Sequence, residues 1–233
     1  MTTPTYIARR GELEAYFDRT ASETWKRLTS DSPVGRVRAT VRAGREEMRR
    51  KLLSWLPEDL RGARLLDAGC GTGALALEAA QRGAHVVAVD VSASLVTHAA
   101  ERLPRDLNGG RIDFIVGDLR DPALGGFDYA VAMDSLIHYE GADIIGTLGA
   151  LAQRVSEGMV FTIAPRTPAL SLMHAVGQWF PRGHRSPAIA PVSQRTLQRL
   201  FTTEETLRGW GLTRAHRVAR GFYISQAWEA RRT

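Results

Sequence analysis

A glycine-rich stretch directly after an apolar run is the first part of the sequence whose residue types suit chemistry. The run is LL at 65–66, and the stretch DAGCGTG that follows carries Asp67, Gly69 and Gly71. Glycines let the backbone turn tightly and pass close to a bound ligand, where a Cβ atom would collide with it. A carboxylate at position 67 suits a cationic group of that ligand, although a water-mediated or purely structural role is equally open. The stretch predicts a ligand-binding loop between a strand and a helix.

Two further acidic side chains come after the next two apolar runs. Asp90 follows HVVAV at 85–89, and Asp118 follows a run that ends at Gly117. A carboxylate at the tip of the second strand of such a unit can accept hydrogen bonds from both hydroxyls of a ribose. Asp90 is also placed to cap a helix that begins near Ser92. Acids and glycines after three successive strands predict a nucleoside-containing ligand.

The elements that must position these residues alternate between short apolar runs and helical stretches. This rhythm is typical of parallel βαβ units, here followed by a tail with a terminal hairpin. We therefore predict an α/β protein with a mostly parallel seven-stranded sheet and helices on both faces. The predicted strands are 64–68, 85–89, 111–116, 127–133, 158–163, 213–219 and 222–230, and the helical stretches are 74–82, 93–103, 141–156, 168–178 and 194–209, with a Pro-rich loop at 181–191.

The chain ahead of this pattern is predicted to form a helical lid. Apolar residues at helical spacing indicate one helix over 11–28 and a second, Arg-rich helix over 34–55. We predict a lid at 1–60 and a ligand-binding domain at 61–233, with a substrate-binding insert around 165–195.

Composition narrows the partners and the compartment. The 233 residues carry a formal net charge of +6 and one cysteine, Cys70. A single cysteine excludes an internal disulfide, which fits a reducing cytoplasm. No apolar run reaches the length of a membrane span, so we expect no transmembrane segment. Because no compact basic run with interleaved aromatic residues occurs, we expect no nucleic-acid partner despite the charge.

The stretch DAGCGTG with its preceding strand resembles the first motif of the class I methyltransferases, a Rossmann-like family. The nicotinamide fingerprint would need a glycine where this chain has Ala74. The resemblance implies S-adenosylmethionine (SAM) as cofactor and S-adenosylhomocysteine (SAH) as product, with Asp118 accepting from the adenine amine. The cofactor-binding residues implied in this way are Asp67, Gly69, Gly71, Asp90, Val91, Asp118, Leu119, Met133 and Ser135.

Three further segments resemble the magnesium-protoporphyrin methyltransferases along essentially the whole chain. They are YFDRT at 16–20, DSLIHY at 134–139 and GFYIS at 221–225. The resemblance implies methylation of the ring-C propionate of magnesium-protoporphyrin IX, and a partnership with the porphyrin-carrying subunit of magnesium chelatase. Magnesium belongs to the substrate, and we expect no protein-bound metal. The membrane-avid substrate makes loose membrane contact plausible for a cytoplasmic enzyme.

The chemistry of a carboxylate acceptor restricts what the site must do. A propionate has a pKa near about 4.3, so it is ionised at neutral pH and needs no base. The site must instead remove water from the carboxylate and hold it in line with the reacting methyl group. We predict that His138 and Tyr16 orient the carboxylate by hydrogen bonding. Among substrate-binding candidates are Arg182, His184 and Arg185, which suit the two propionates of the porphyrin.

Three alternatives remain at this point. A methyltransferase of the same fold acting on a quinone-type phenol would keep the cofactor residues but need a base, and its rate would depend on the pKa of His138. A nucleic-acid-binding protein would explain the net charge and would bind polyanions with a steep salt dependence. A nicotinamide dehydrogenase is disfavoured by Ala74 and Asp67.

Overall fold

The computed structural model describes residues 3–18, 36–166 and 188–233. Seven strands form one sheet in the order β3-β2-β1-β4-β5-β7-β6. Strands β1 to β5 pair in parallel, whereas β7 runs antiparallel to both β5 and β6. The strands are β1 Arg64–Ala68, β2 His85–Asp90, β3 Arg111–Val116, β4 Phe127–Ala132, β5 Val155–Ile163, β6 Trp210–Arg220 and β7 Tyr223–Arg232.

Helices cover both faces of this sheet. Strand order reverses between β1 and β4, and ligands of open α/β sheets bind outside the carboxyl ends of the strands at such a switch point. The helices are α1 Pro4–Tyr16, α2 Arg36–Leu53, α3 Ala74–Gln81, α4 Ala93–Glu101, α5 Gly141–Ala152 and α6 Gln194–Thr203.

The core lies in two apolar layers, one on each side of the sheet. Leu66 of β1 belongs to the layer under α5 and α6, whereas its neighbour Leu65 belongs to the layer under α2 and α3. Successive side chains of a strand point to opposite faces, so a strand buried on both faces is apolar throughout. Helix α2 contributes Met48 and Leu52 to the same layer as Leu65. The domain boundary at residue 60 stays a prediction.

The predicted α/β architecture and seven-stranded sheet are confirmed, whereas several element boundaries were wrong. Helix α1 begins at Pro4 rather than residue 11, because Thr3 Oγ1 accepts from the backbone N–H of Tyr6 at 3.1 Å and Pro4 suits the first helical turn. Strand β5 begins at Val155, inside the predicted helix 141–156, because Val155 pairs with Phe127 of β4. The predicted helix 168–178 lies outside the described residues.

The terminal hairpin is longer than predicted. Strands β6 and β7 are joined by Gly221 and Phe222 alone. Gly221 has a φ of +55°, a conformation that favours glycine and permits so tight a turn. Within the described ranges, no helix is long and apolar enough to cross a bilayer.

Candidate active site

A cavity of about 660 Å³ opens at the carboxyl ends of β1, β2 and β4. A cavity of this size fits one medium-sized ligand. Its walls come from α1, α2, the glycine-rich loop after β1, the turn after β4 and the β6–β7 hairpin. The predicted site residues that line it are Tyr16, Asp67, Gly69, Gly71, Asp90, Val91, Leu119, Met133, Ser135 and His138.

The glycine-rich loop and the turn after β4 pack directly on each other. Gly69 has a φ of +87°, and a Cβ atom there would lie 2.3 Å from Cβ of Ser135. Ser135 Oγ donates a hydrogen bond to the carbonyl oxygen of Ala68 at 2.7 Å. Any side chain at position 69 would therefore separate these two segments. The predicted Gly69 and Ser135 form the floor of the cavity where the strand order reverses.

Asp90 closes the cavity at the end of β2. Its carboxylate accepts from the backbone N–H of Gly71 at 2.8 Å and from that of Ser92 at 3.0 Å. A carboxylate offers about four acceptor positions, so these two bonds leave room for two ligand hydroxyls. Burial raises the pKa of Asp90. The helix α4 is capped by Ser92, whose Oγ accepts from Leu95 N, which leaves the Asp90 carboxylate to the loop and the cavity.

Asp67 is a buried acid at the end of β1. The side chain is 1% exposed, and its Oδ2 atom has no hydrogen-bond partner among the described residues. Burial, and after it the charge of Asp90, raise the pKa of Asp67 to about 7. A buried carboxylate oxygen without a hydrogen bond is destabilising unless a donor or a cation satisfies the charge of the group. The amino and sulfonium groups of a cofactor such as SAM fit this requirement.

Asp118 joins α1 to the end of β3. Its Oδ1 atom accepts from the Tyr6 hydroxyl at 2.7 Å and from the backbone N–H of Arg120 at 2.8 Å. Its Oδ2 atom accepts from Arg10 Nη1 at 2.8 Å. Asp118 does not line the cavity, although its neighbour Leu119 does. The role predicted for Asp118 in adenine recognition stays a prediction, and no sequence pattern indicates its hydrogen bonds to α1.

Helix α1 is held across the cavity at both of its ends. Near its start, the Tyr6 ring stacks on Tyr139 with centroids 4.9 Å apart. After its last turn, Asp18 accepts from the Ser92 hydroxyl at 2.7 Å and from the backbone N–H of Ser94 at 3.1 Å. The segment therefore bridges β2, β3 and the turn after β4. This arrangement fits the predicted lid.

His138 and Tyr16 both line the cavity. His138 is buried in a 3₁₀ turn after β4, and its Nδ1 atom lies 3.3 Å from the carbonyl oxygen of Ala188. Because a carbonyl only accepts, this contact assigns the ring proton to Nδ1 and leaves Nε2 as an acceptor. Burial lowers the pKa of His138, so the imidazole is neutral at pH 7. Tyr16 is half-buried, with its ring edge-on to Phe17.

The predicted substrate-binding residues Arg182, His184 and Arg185 lie outside the described residues. The chain on either side of that segment reaches the cavity, because Ala164 and Ile189 both line it.

Asp134 is the central residue that sequence reasoning missed. It follows β4 with a φ of +55°, and its buried carboxylate pairs with Arg45 Nη1 of α2 at 2.6 Å. The same carboxylate accepts from the hydroxyls of Tyr223 at 3.0 Å and Ser225 at 3.3 Å, both on β7. A non-glycine residue with positive φ is uncommon and often marks a functional site.

The contacts of Asp134 connect three segments that are distant in the sequence. They join α2, the turn after β4 and the terminal hairpin, and Arg45, Tyr223 and Ser225 line the cavity with Asp134. DSLIHY begins at this residue, but nothing in the motif indicates its partners. Among the residues that the structure describes, no group of three or more His, Cys, Asp or Glu side chains is placed to hold a metal ion.

Fold and site together define a class I methyltransferase. Residues 65–158 match a family model described as a methyltransferase domain, and residues 132–232 match one described as the C-terminus of magnesium-protoporphyrin IX methyltransferase. The chain is 50% identical over 227 residues to the magnesium-protoporphyrin O-methyltransferase of Rhodobacter capsulatus. The aligned region covers 97% of this chain and 98% of the relative. The chain therefore belongs to the magnesium-protoporphyrin O-methyltransferase family.

Solved structures and more distant relatives agree with this placement. The crystal structure of magnesium protoporphyrin IX methyltransferase from Synechocystis PCC 6803 with bound SAH superposes with a TM-score of 0.83 at 26% identity, covering 96% of this chain and 99% of that one. A ubiquinone biosynthesis O-methyltransferase of Xanthomonas euvesicatoria is 35% identical, but over only 51% of this chain and 50% of its own length.

Proposed function

We propose that the chain transfers a methyl group from SAM to the ring-C propionate of magnesium-protoporphyrin IX, giving the monomethyl ester and SAH. The observation that carries the proposal is the end-to-end similarity to the Rhodobacter capsulatus enzyme. That similarity includes α2, the turn after β4 and the β6–β7 hairpin, which form the acceptor side of the cavity. The similarity to the ubiquinone enzyme is limited to half of the chain.

On the cofactor side, the proposal assigns a separate task to each acid. Asp90 has acceptor positions left for the ribose hydroxyls, and the buried carboxylate of Asp67, a residue of the cavity wall, is assigned to the amino or the sulfonium group. When bound, SAM supplies an electrophilic methyl group on a positively charged sulfur. The carboxylates of Asp67 and Asp90 favour that charge, and the glycines keep the loop backbone close enough to contact the ligand.

On the acceptor side, the residues need to desolvate and orient a carboxylate. Tyr16 lines the cavity, and the proposal has its hydroxyl donate to the carboxylate. His138 donates from Nε2 only if the ring proton moves there from Nδ1 or if a second proton binds. The first change loses only the 3.3 Å bond to Ala188, and the negative charge of the propionate favours the second. Neither change requires His138 to act as a base.

The competing acceptor is a quinone-type phenol, favoured by the partial similarity to the ubiquinone enzyme and by the neutral His138 with an unprotonated Nε2. A phenol must lose its proton during the reaction, so His138 would serve as general base. Its rate would fall as pH drops through the lowered pKa of His138. The rate with a propionate at saturating cofactor would not fall there, because His138 then acts as a donor.

The test is an incubation of the purified chain with methyl-labelled SAM and magnesium-protoporphyrin IX, with products separated by chromatography and weighed by mass spectrometry. We expect one labelled methyl ester per porphyrin and none on the dimethyl ester of the same porphyrin, which has no free carboxylate. Tight SAH binding without ester formation would leave the fold assignment intact and would contradict the acceptor. A screen of phenols would then follow.

We also propose that the substrate arrives from the porphyrin-carrying subunit of magnesium chelatase, and that the enzyme works in the cytoplasm with at most loose membrane contact. The family resemblance and the low solubility of the porphyrin support this route. The test compares initial rates with porphyrin supplied free, on vesicles, or bound to that subunit. A slower rate with the subunit-bound porphyrin than with the free porphyrin would contradict delivery by the subunit.

A further inference from the structure

The Phe222 ring is exposed at the mouth of the cavity. Three large apolar side chains within the described ranges are exposed, namely Ile7, Val116 and Phe222, and of these Phe222 alone lines the cavity. Phe222 stands at the tip of the β6–β7 hairpin and is 54% exposed. Exposed aromatic surface beside a binding cavity is typical of a place that a ligand covers.

The residues on both sides of Phe222 are packed tightly against α2. A Cβ atom on Gly221 would lie 2.8 Å from Thr40 Oγ1, and one on Gly44 would lie 2.5 Å from the Tyr223 ring. Tyr223 is anchored in turn by its hydroxyl, which donates to Asp134. The backbone of Phe222 is therefore fixed by its neighbours, and its own ring contributes little to the packing.

The size of the cavity places a large substrate at its mouth. A volume of about 660 Å³ is within the range of one drug-sized ligand, roughly 300–1,000 Å³. Because Asp67 and Asp90 are assigned to the cofactor, SAM is expected to fill much of that space. A flat porphyrin macrocycle has to reach in with one propionate arm while its ring stays at the opening. Among the described aromatic residues that line the cavity, Phe222 is classed as a large exposed apolar side chain.

We propose that Phe222 is a substrate-binding residue that packs against the porphyrin macrocycle and sets how far the propionate enters the cavity. This inference rests on the proposed function, because it takes magnesium-protoporphyrin IX as the ligand. The ring offers a flat apolar surface to a flat apolar ligand, and the tight approach of α2 and the hairpin keeps it in place without ligand. The contact belongs to porphyrin binding and not to cofactor binding.

The test uses Phe222→Ala, with Phe222→Trp as the conservative variant and Ile7→Ala as a matched control. Ile7 is 53% exposed and does not line the cavity. Porphyrin affinity is measured by quenching of magnesium-protoporphyrin IX fluorescence, SAH affinity by calorimetry, and KM and kcat with the labelled methyl assay. We expect Phe222→Ala to weaken porphyrin binding and raise its KM about five- to tenfold, since one aromatic contact is lost.

The other readouts separate a binding role from a structural one. SAH affinity and thermal stability of Phe222→Ala are expected to match the wild type, Phe222→Trp to retain porphyrin affinity, and Ile7→Ala to change neither ligand. If the wild type forms the ester and Phe222→Ala binds porphyrin within twofold of it, the inference is overturned. If the wild type itself neither binds nor methylates the porphyrin, the proposed function fails first.

Discussion

The two sides of the cavity are built in different ways. The cofactor side comes from the carboxyl ends of β1, β2 and β3, where Asp67 and Asp90 lie in the last residues of β1 and β2 and Gly69 follows β1 directly. The acceptor side joins α2, the turn after β4 and the terminal hairpin, which meet at Asp134. One side therefore depends on short-range geometry and the other on long-range contacts. The difference predicts that mutations affect the two ligands separately.

The strongest test of this separation is Asp90→Ala. Two hydrogen bonds from ribose hydroxyls to a carboxylate are lost, each contributing roughly 1.5 kcal/mol or more, so SAH affinity should fall on the order of 100-fold. Calorimetry with SAH measures it, and porphyrin binding should stay unchanged. Asp113→Ala is the control, because Asp113 is exposed on β3 and contacts His85 instead of the cavity. A loss of porphyrin affinity equal to the loss of SAH affinity would break the comparison.

Asp134→Asn should damage the acceptor side and leave the cofactor side intact. Removing the charge breaks a mostly buried ion pair with Arg45 and weakens the bonds from Tyr223 and Ser225. We expect a loss of about 2 kcal/mol in the free energy of unfolding, less than for a fully buried pair because Arg45 keeps some contact with water. Urea denaturation measures it. Porphyrin KM should rise, and an unchanged KM would show that the Asp134 contacts do not shape the acceptor side.

His138→Ala should lower kcat about 20-fold without weakening either ligand strongly, because a hydrogen bond to the charged carboxylate is lost. His138→Gln provides a donor that cannot act as a base, so it should recover part of the rate with porphyrin. Steady-state kinetics at saturating SAM measure both variants. Equal rates for the Ala and Gln variants would contradict the donor role and favour a base.

The smallest effect is a pH dependence on the cofactor side alone. The pKa of Asp67 is raised to about 7, so below that pH the acid is protonated and must lose its proton to hold a cation. SAM affinity should therefore rise about tenfold from pH 6 to pH 8. Asp67→Asn should bind weakly with a flat profile. Porphyrin affinity of the wild type with the same slope would argue that Asp67 serves both ligands.

The raised pKa of Asp67 also makes the free energy of unfolding depend on pH. The folded pKa lies above the unfolded value near 3.8, so the folded state binds the proton more tightly. The contribution of protonated Asp67 to the free energy of unfolding is fully present at low pH and is lost as pH rises from about 4 to about 7. Asp67→Asn should remove this loss of stability. Thermal unfolding of the wild type and the variant at pH 5 and pH 8 without ligand measures it. SAM should restore stability most at the higher pH.

The cofactor half of the fold was predictable because each signal there is local. An apolar run, a glycine loop and an acid within 30 residues indicate βαβ units, whereas the strand order is seen only in the structure. The start of α1 was missed although Thr3 and Pro4 are a recognisable start signal. The start of β5 was missed because pairing with β4 decides the conformation of Val155, and no local pattern reports it.

The acceptor half was predictable only through resemblance. His138 and Tyr16 came from motifs, and the structure does place both in the cavity wall. Asp134 lies 89 residues from Arg45 on one side and 89 residues from Tyr223 on the other, so only the fold brings the three together. Asp134 carries one weak local sign, a polar residue directly after a buried strand, and its positive φ is visible only in the structure.

The central claim is that one cavity binds two ligands through separable walls. The most direct measurement is the dissociation constant of SAH and of magnesium-protoporphyrin IX, taken for Asp90→Ala and for Phe222→Ala under one set of conditions. We predict that Asp90→Ala loses SAH affinity while keeping porphyrin affinity, and that Phe222→Ala does the reverse. If both variants weaken both ligands to the same extent, the cavity acts as a single unit and the division into two sides is contradicted.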